Sequence, residues 1–67
     1  MIIRFQLNRP HYSTEETFLS QTYDWPCVPQ KGETVYFRSA NSAYDVRAVC
    51  AIVDEDGTLE SYSVTIE

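Results

Sequence analysis

The sequence predicts a small all-β domain, in which five short strands form a strongly bent antiparallel sheet. Two runs with period-2 patterning, rich in Val, Ile, Tyr and Thr, occupy residues 44–53 and 59–66, as is typical of strands. An acidic turn with a glycine (residues 54–57, DEDG) separates them, which indicates a C-terminal β-hairpin over 44–66. The length of 67 residues predicts one domain, 1–67, with little room for a second layer.

The first strand is predicted near the start of the chain. Ile3, Phe5 and Leu7 alternate with polar residues, so one face of this strand is expected to be buried. Pro10 ends the pattern, because proline has no N–H to donate to a sheet.

The next stretch has two interpretations. Ser13 and Glu16 fit a capping box, which would begin a short helix over 14–21. Thr22 and Tyr23 prefer strands, and the interpretation favoured here is a strand that pairs with the first.

The middle of the chain is predicted to be extended and then strand-forming. Residues 25–29 (WPCVP) contain two prolines, each of which pushes the preceding residue out of the helical region. Residues 30–33 are then predicted to form a turn, 34–38 a short strand and 39–43 a small polar loop.

The long run 44–53 predicts how the sheet closes. It carries apolar residues on both alternating sets, such as Val46 with Ile52 and Val49 with Val53. Such a strand must be covered on both faces or must bend so that its inward face changes midway. A small SH3-like or OB-like barrel contains a strand of the second kind.

A resemblance supports this prediction over about the last 40 residues. The chain is similar to small uncharacterised bacterial and phage proteins with a P-x-x-G-E-x-V … Y-x-V-x-x-V pattern. It matches the first part with residues 29–35 and the second with Tyr44, Val46 and Val49. The resemblance implies an SH3-like β-barrel and an origin in a phage or another mobile element, and it implies no activity.

Charge argues against one class of function. Ten acidic residues stand against five basic ones, for a net charge of −5, whereas phosphate backbones attract Lys and Arg. Nucleic acid is therefore a disfavoured partner. The acidic residues at the hairpin turn could form a rim that complements a basic protein, or could serve solubility alone. This candidate acidic rim consists of Asp54, Glu55, Asp56 and Glu60.

Catalytic and metal-binding patterns are lacking, so the chain is predicted not to be an enzyme and to have no catalytic residue, metal or cofactor. His11 is the only histidine, and no orienting partner stands near it. A thiol–imidazole pair of Cys27 with His11 would depend wholly on the fold. The acidic turn lacks the ligand spacing of a calcium loop.

The cysteines and the hydropathy predict a cytoplasmic protein. No run of about 18 apolar residues predicts a membrane span, and residues 1–7 do not fit a signal peptide. Cys27 and Cys50 are therefore expected to be reduced thiols. Cys50, within a Val/Ala/Ile run, is expected to be a small buried hydrophobe, and Cys27 to be partly exposed.

Aromatic residues give the candidate partner-binding patch. They are too numerous to be hidden completely in so small a core, and Tyr, Trp and Arg are enriched at interface hot spots. Val35 and Phe37 are predicted to face one way, and Tyr36 and Arg38 the other. An alternative is that Trp25 plugs one end of the barrel. The candidate patch consists of Tyr23, Trp25, Tyr36 and Arg38.

Three functional hypotheses follow. The first is a protein-interaction module that binds through exposed aromatics with an acidic rim, its partner another protein or a second copy of the chain as a homodimer. The second is an acidic inhibitor that mimics nucleic acid, for which Asp45 would have to align with the acidic rim. The third is a small barrel that binds single-stranded nucleic acid, with Arg4, Lys31, Arg38 and Arg47 on one face.

Overall fold

The computed structural model describes residues 1–8, 19 and 21–67, and in this part of the chain the regular structure is all β. Five strands form one sheet that curls into a half-barrel, in the order β2-β1-β5-β4-β3. The all-β, five-stranded fold and the hairpin over 44–66 are thereby confirmed. The strands are β1 (Ile2–Leu7), β2 (Tyr23–Asp24), β3 (Thr34–Phe37), β4 (Ser42–Val53) and β5 (Leu59–Ile66).

The pairing of β1 with β5 differs from the predicted antiparallel sheet. β1 pairs antiparallel with β2, and β4 pairs antiparallel with both β3 and β5. β1 and β5, however, run parallel, with Phe5 opposite Val64. Alternation along a strand indicates which residues are buried but carries no information on the direction of the neighbouring strand. The sheet is therefore mixed.

β4 changes its inward face partway along its length, as the two-sided apolar pattern predicts. Its register against β5 shifts between Val46 and Ala48, where Arg47 is the additional residue of a β-bulge. Tyr44 and Val46 pack into the core before the bulge, and Val49 packs against it afterwards. An extra residue reverses the side-chain alternation, and the bulge therefore bends the sheet around its core.

The core lies on the concave side of the half-barrel and draws on four strands. β5 supplies Val64 and Ile66, both fully buried, because it lies between β1 and β4. Leu19 packs against the same cluster from outside the strands. The buried members are Ile3, Phe5, Phe37, Val46, Val64 and Ile66.

Two predicted turns are present. The Glu33 N–H donates to the Gln30 carbonyl at 3.0 Å, and the Gly57 N–H donates to the Asp54 carbonyl at 2.9 Å. Gly57 has a φ of 87°, which a residue with a side chain rarely adopts.

The second strand is short, and it is tied to the start of the chain. It pairs with β1, with Tyr23 opposite Ile3, but of the described residues in the predicted strand only Tyr23 belongs to it, and Gln21 and Thr22 lie outside any strand. The amino group of Met1 lies 2.9 Å from an Asp24 carboxylate oxygen. Apart from Leu19 and Gln21, the choice between helix and strand over 14–21 falls outside the described residues, as does His11.

The prediction that Cys50 is buried is wrong. Cys27 and Cys50 are both exposed, free thiols, so Cys27 is exposed as expected. Cys50 lies opposite Ser63 on β5, on the convex face, because the bulge at Arg47 shifts the alternation of the residues that follow it.

Candidate contact surfaces

Tyr23 and Trp25 lie together on the core side of the sheet. Their ring centroids are 5.3 Å apart, and each ring lies over Phe5, at 5.6 Å for Tyr23 and 5.5 Å for Trp25. Both are half-buried and pack against the core, and burial raises the pKa of the Tyr23 hydroxyl. These two residues thus help to close the core while part of each stays exposed.

The side chains of Tyr36, on β3, and of Arg38, just after it, lie on the face that points away from the core. The alternation predicted for β3 is confirmed, because Phe37 is buried while Tyr36 and Arg38 are exposed. Tyr36 is 56% exposed, and its hydroxyl donates to Asn41 Oδ1 at 2.6 Å. The structure therefore does not bring the four residues of the candidate patch together on one face.

The acidic rim surrounds the turn between β4 and β5. All four carboxylate residues are exposed. The Asp56 carboxylate accepts the Thr58 N–H at 2.9 Å, and this hydrogen bond lowers the pKa of the Asp56 carboxyl. Within the described residues, no group of His, Cys, Asp and Glu is arranged to hold a metal ion.

Aliphatic side chains are exposed beside this turn. Residues 50–60, called the hairpin end here, are all exposed. They include Ile52, Val53 and Leu59, which are 39%, 55% and 48% exposed. β1 does not extend alongside this part of the hairpin, because its pairing with β5 begins with Ile3 opposite Tyr62.

Sequence reasoning missed this apolar surface, although its signal was present. The apolar residues on both alternating sets of 44–53 predict a strand that bends so that its inward face changes midway, and this prediction leaves no aliphatic residue exposed at the end of the strand. In the structure β3 reaches only as far as Asp45 in its register with β4, so the distal half of the hairpin extends beyond both neighbouring strands.

The exposed aromatic residue and the acidic rim are far apart. Tyr36 pairs with Ala43 near the start of β4, and Asp54 follows the end of that strand. At about 3.3 Å per residue, the two positions are separated by roughly 36 Å along the strand. The molecule therefore presents two distinct candidate surfaces, one around Tyr36 and one at the hairpin end.

The half-buried position of Trp25 leads to a stability prediction. Replacing Trp25 with Ala is expected to cost about 2–3 kcal/mol of unfolding free energy, below the usual cost for a fully buried ring. Urea unfolding followed by circular dichroism measures this. The matched control, Tyr36→Ala, is expected to stay within about 0.5 kcal/mol of wild type. Equal stability of the two variants would show that the Trp25 ring does not belong to the core.

None of the described residues forms a helix with the length and hydrophobicity needed to cross a membrane.

The resemblance to SH3-like barrel proteins of bacteria and phages stays a prediction. Comparison of the chain with protein-family models, with curated proteins and with solved structures finds no match.

Proposed function

We propose that this chain is a non-enzymatic protein-interaction module that binds another protein through its hairpin end. The observation that carries the proposal is the combination of exposed Val53 and Leu59, which lie opposite each other on one face of the hairpin, with the acidic rim beside them. Exposed apolar groups with a polar border are typical of sites that another protein covers. The partner is expected to supply apolar side chains to this surface and basic residues to the rim.

The position of Asp45 favours this function over mimicry of nucleic acid. Mimicry requires carboxylates in an extended row, and Asp45 was the residue needed to lengthen the row from the turn. Asp45 lies opposite Thr34 and accepts its hydroxyl at 3.1 Å, roughly 30 Å along β4 from Asp54. The acidic groups of the rim are gathered at one turn, next to aliphatic side chains.

The basic residues give little support to the barrel that binds single-stranded nucleic acid. Arg47 already pairs with Glu67, with Nε 2.9 Å from a carboxylate oxygen. Arg4 lies on β1 and Arg38 follows β3, which are separated in the sheet by β5 and β4.

The exposed free thiols of Cys27 and Cys50 support a reducing compartment such as the cytoplasm.

The test compares two surfaces on the same tagged chain. Affinity capture from extracts of the native host, quantified by mass spectrometry, is carried out with wild type, with Val53→Ser/Leu59→Ser and with Tyr36→Ser. Tyr36 and Val53 are almost equally exposed, at 56% and 55%, so Tyr36→Ser is a matched control. The double variant is expected to reduce capture of a specific partner by about tenfold or more, because each lost aliphatic contact is worth about 1 kcal/mol or more.

Two outcomes contradict the proposal. Loss of the partner with Tyr36→Ser but not with the double variant would assign binding to the surface around Tyr36. Equal capture by all three proteins would show that neither surface binds. Circular dichroism of each variant confirms that the fold is retained before capture is compared.

A further inference from the structure

Among the described residues, one edge of β4 has no neighbouring strand along its distal half. β3 covers β4 as far as Asp45, and Val46 exchanges hydrogen bonds with the loop before β3, donating to the Glu33 carbonyl at 2.8 Å and accepting the Gly32 N–H at 3.0 Å. Beyond Val46, among the described residues, β4 pairs only with β5. Residues 47–53, called the free edge here, therefore have one side that no described strand pairs with.

The backbone groups that point into this open side can be identified. The Asp54 N–H donates to the Thr58 carbonyl at 2.8 Å, so the backbone of Asp54 is directed toward β5. Successive residues of an antiparallel strand direct their N–H and C=O groups to opposite sides. Val49, Ala51 and Val53 therefore direct theirs away from β5.

The central part of the free edge, residues 48–52, carries little of the usual protection against pairing. Soluble proteins guard exposed strand edges with charged side chains, proline or a bulge. Residues 48–53 (AVCAIV) contain no charge and no proline. The bulge at Arg47 lies at one end of the edge and a second register shift, between Ile52 and Val53, lies near the other, so the residues between them are regular strand. A bare aliphatic edge of this length is suited to accept another strand.

We propose that a second copy of this chain occupies the free edge, and that the two β4 strands pair antiparallel about a two-fold axis at Cys50. The edge is bounded by the pairing of Val46 at one end and by the turn at Asp54 at the other, so its centre is Cys50. In this register Val49 of one copy exchanges hydrogen bonds with Ala51 of the other. The pairing joins the two half-barrels into one continuous sheet with an isologous interface.

Charge complementarity favours a second copy in this orientation. The antiparallel register places the acidic turn of each copy next to Arg47 of the other copy, whose side chain pairs with Glu67 of its own chain but is still 54% exposed. Lys31 lies at the same end, because it precedes Gly32, which hydrogen-bonds to Val46. The two acidic turns lie at opposite ends of the interface, which limits the repulsion between two chains that each carry a net charge of −5.

The pairing goes beyond the proposed function and does not depend on it. It rests on backbone hydrogen bonds along β4 and brings the acidic turn near the other copy, whereas the proposed partner site rests on the aliphatic side chains and carboxylates at the turn. A monomer that still captures its partner would reject the pairing alone. A dimer that captures nothing would reject the proposed function alone.

The first test measures molar mass by size-exclusion chromatography with light scattering under reducing conditions. Wild type is expected to show twice the mass of the chain. Ala51→Pro is expected to show the mass of one chain with the fold retained, since it removes an N–H that points away from β5 and proline is tolerated at strand edges. A wild-type monomer at every soluble concentration, or a dimer with Ala51→Pro, would overturn the proposal.

The second test uses the thiols and does not depend on whether Ala51→Pro folds. In the proposed register the two Cys50 residues form a non-hydrogen-bonded pair with Cα atoms about 4.5 Å apart, within the range that a disulfide spans. Diamide, which takes up the hydrogen atoms of both thiols as the S–S bond forms, is added to Cys27→Ser and to its matched control, Cys50→Ser.

Non-reducing electrophoresis then compares the two single-cysteine proteins. Both thiols are exposed in the wild-type chain, so chance collisions should link them at similar rates. Cys27→Ser is expected to form the disulfide-linked dimer about tenfold faster or more, because pairing raises the effective concentration of Cys50. Equal rates for the two proteins, or faster linking through Cys27, would overturn the proposed register.

Discussion

Replacing Val64 with Asp is expected to leave the chain unfolded at neutral pH. Val64 is fully buried in β5, where it pairs with Phe5 on one side and with Val49 on the other. An unpaired carboxylate at such a site costs at least several kcal/mol. A domain of this size has about 3–10 kcal/mol of total stability. Loss of the β signal in circular dichroism and of amide dispersion in NMR spectra would show the unfolding.

The neighbouring residue provides the control for this prediction. Ser63 lies on the opposite face of β5, between Arg4 and Cys50, and is half-exposed. Ser63→Asp is expected to fold and to remain within about 1 kcal/mol of wild type. The reverse pattern, with Ser63→Asp unfolded and Val64→Asp folded, would mean that β5 is displaced by one residue in the sheet, since such a slip exchanges its two faces.

The strands could be predicted because alternation reports directly on burial. Ile3 and Phe5 on β1, and Phe37 on β3, are buried as their spacing indicates. The hairpin was also predictable, because its turn carries the glycine that a positive φ requires. The parallel pairing of β1 with β5 was not, since it depends on which strands meet after the intervening residues have folded, and no local pattern encodes that choice.

The candidate surfaces were less predictable than the fold. The side that Tyr36 faces follows from alternation within β3, but the position of Trp25 depends on where β2 pairs in the sheet. The position of Cys50 depends on the bulge at Arg47, which reverses the faces beyond it. The exposed state of Leu59 depends on the length of the hairpin relative to β1 and β3. These are relations between strands, and a single strand's sequence does not contain them.

The small core makes one aromatic ring unusually important. Phe5 is 3% exposed, and its ring centroid lies 5.0 Å from that of Phe37 in an edge-to-face arrangement. It also contacts the rings of Tyr23 and Trp25 at 5.6 and 5.5 Å. Phe5 thus links β1 to β2, to the segment after β2 and to the opposite edge of the sheet at β3.

Replacing Phe5 with Ala is expected to remove most of the stability of the domain. The lost burial and the cavity cost about 3–5 kcal/mol, and the aromatic contacts add about 0.5–1.5 kcal/mol per pair. Urea unfolding measures the loss, with Trp25 fluorescence as a local probe because its ring contacts Phe5. Phe5→Leu, which keeps most of the volume, is expected to cost about 1–2 kcal/mol. If Phe5→Ala unfolded at the wild-type urea concentration, the aromatic cluster could not be what joins the two edges of the sheet. Tyr23 and Trp25 pack against the Phe5 ring, so their exposed parts would also lose their fixed positions in Phe5→Ala. Tyr36 lies on the opposite face of β3 and would lose its position only through global unfolding.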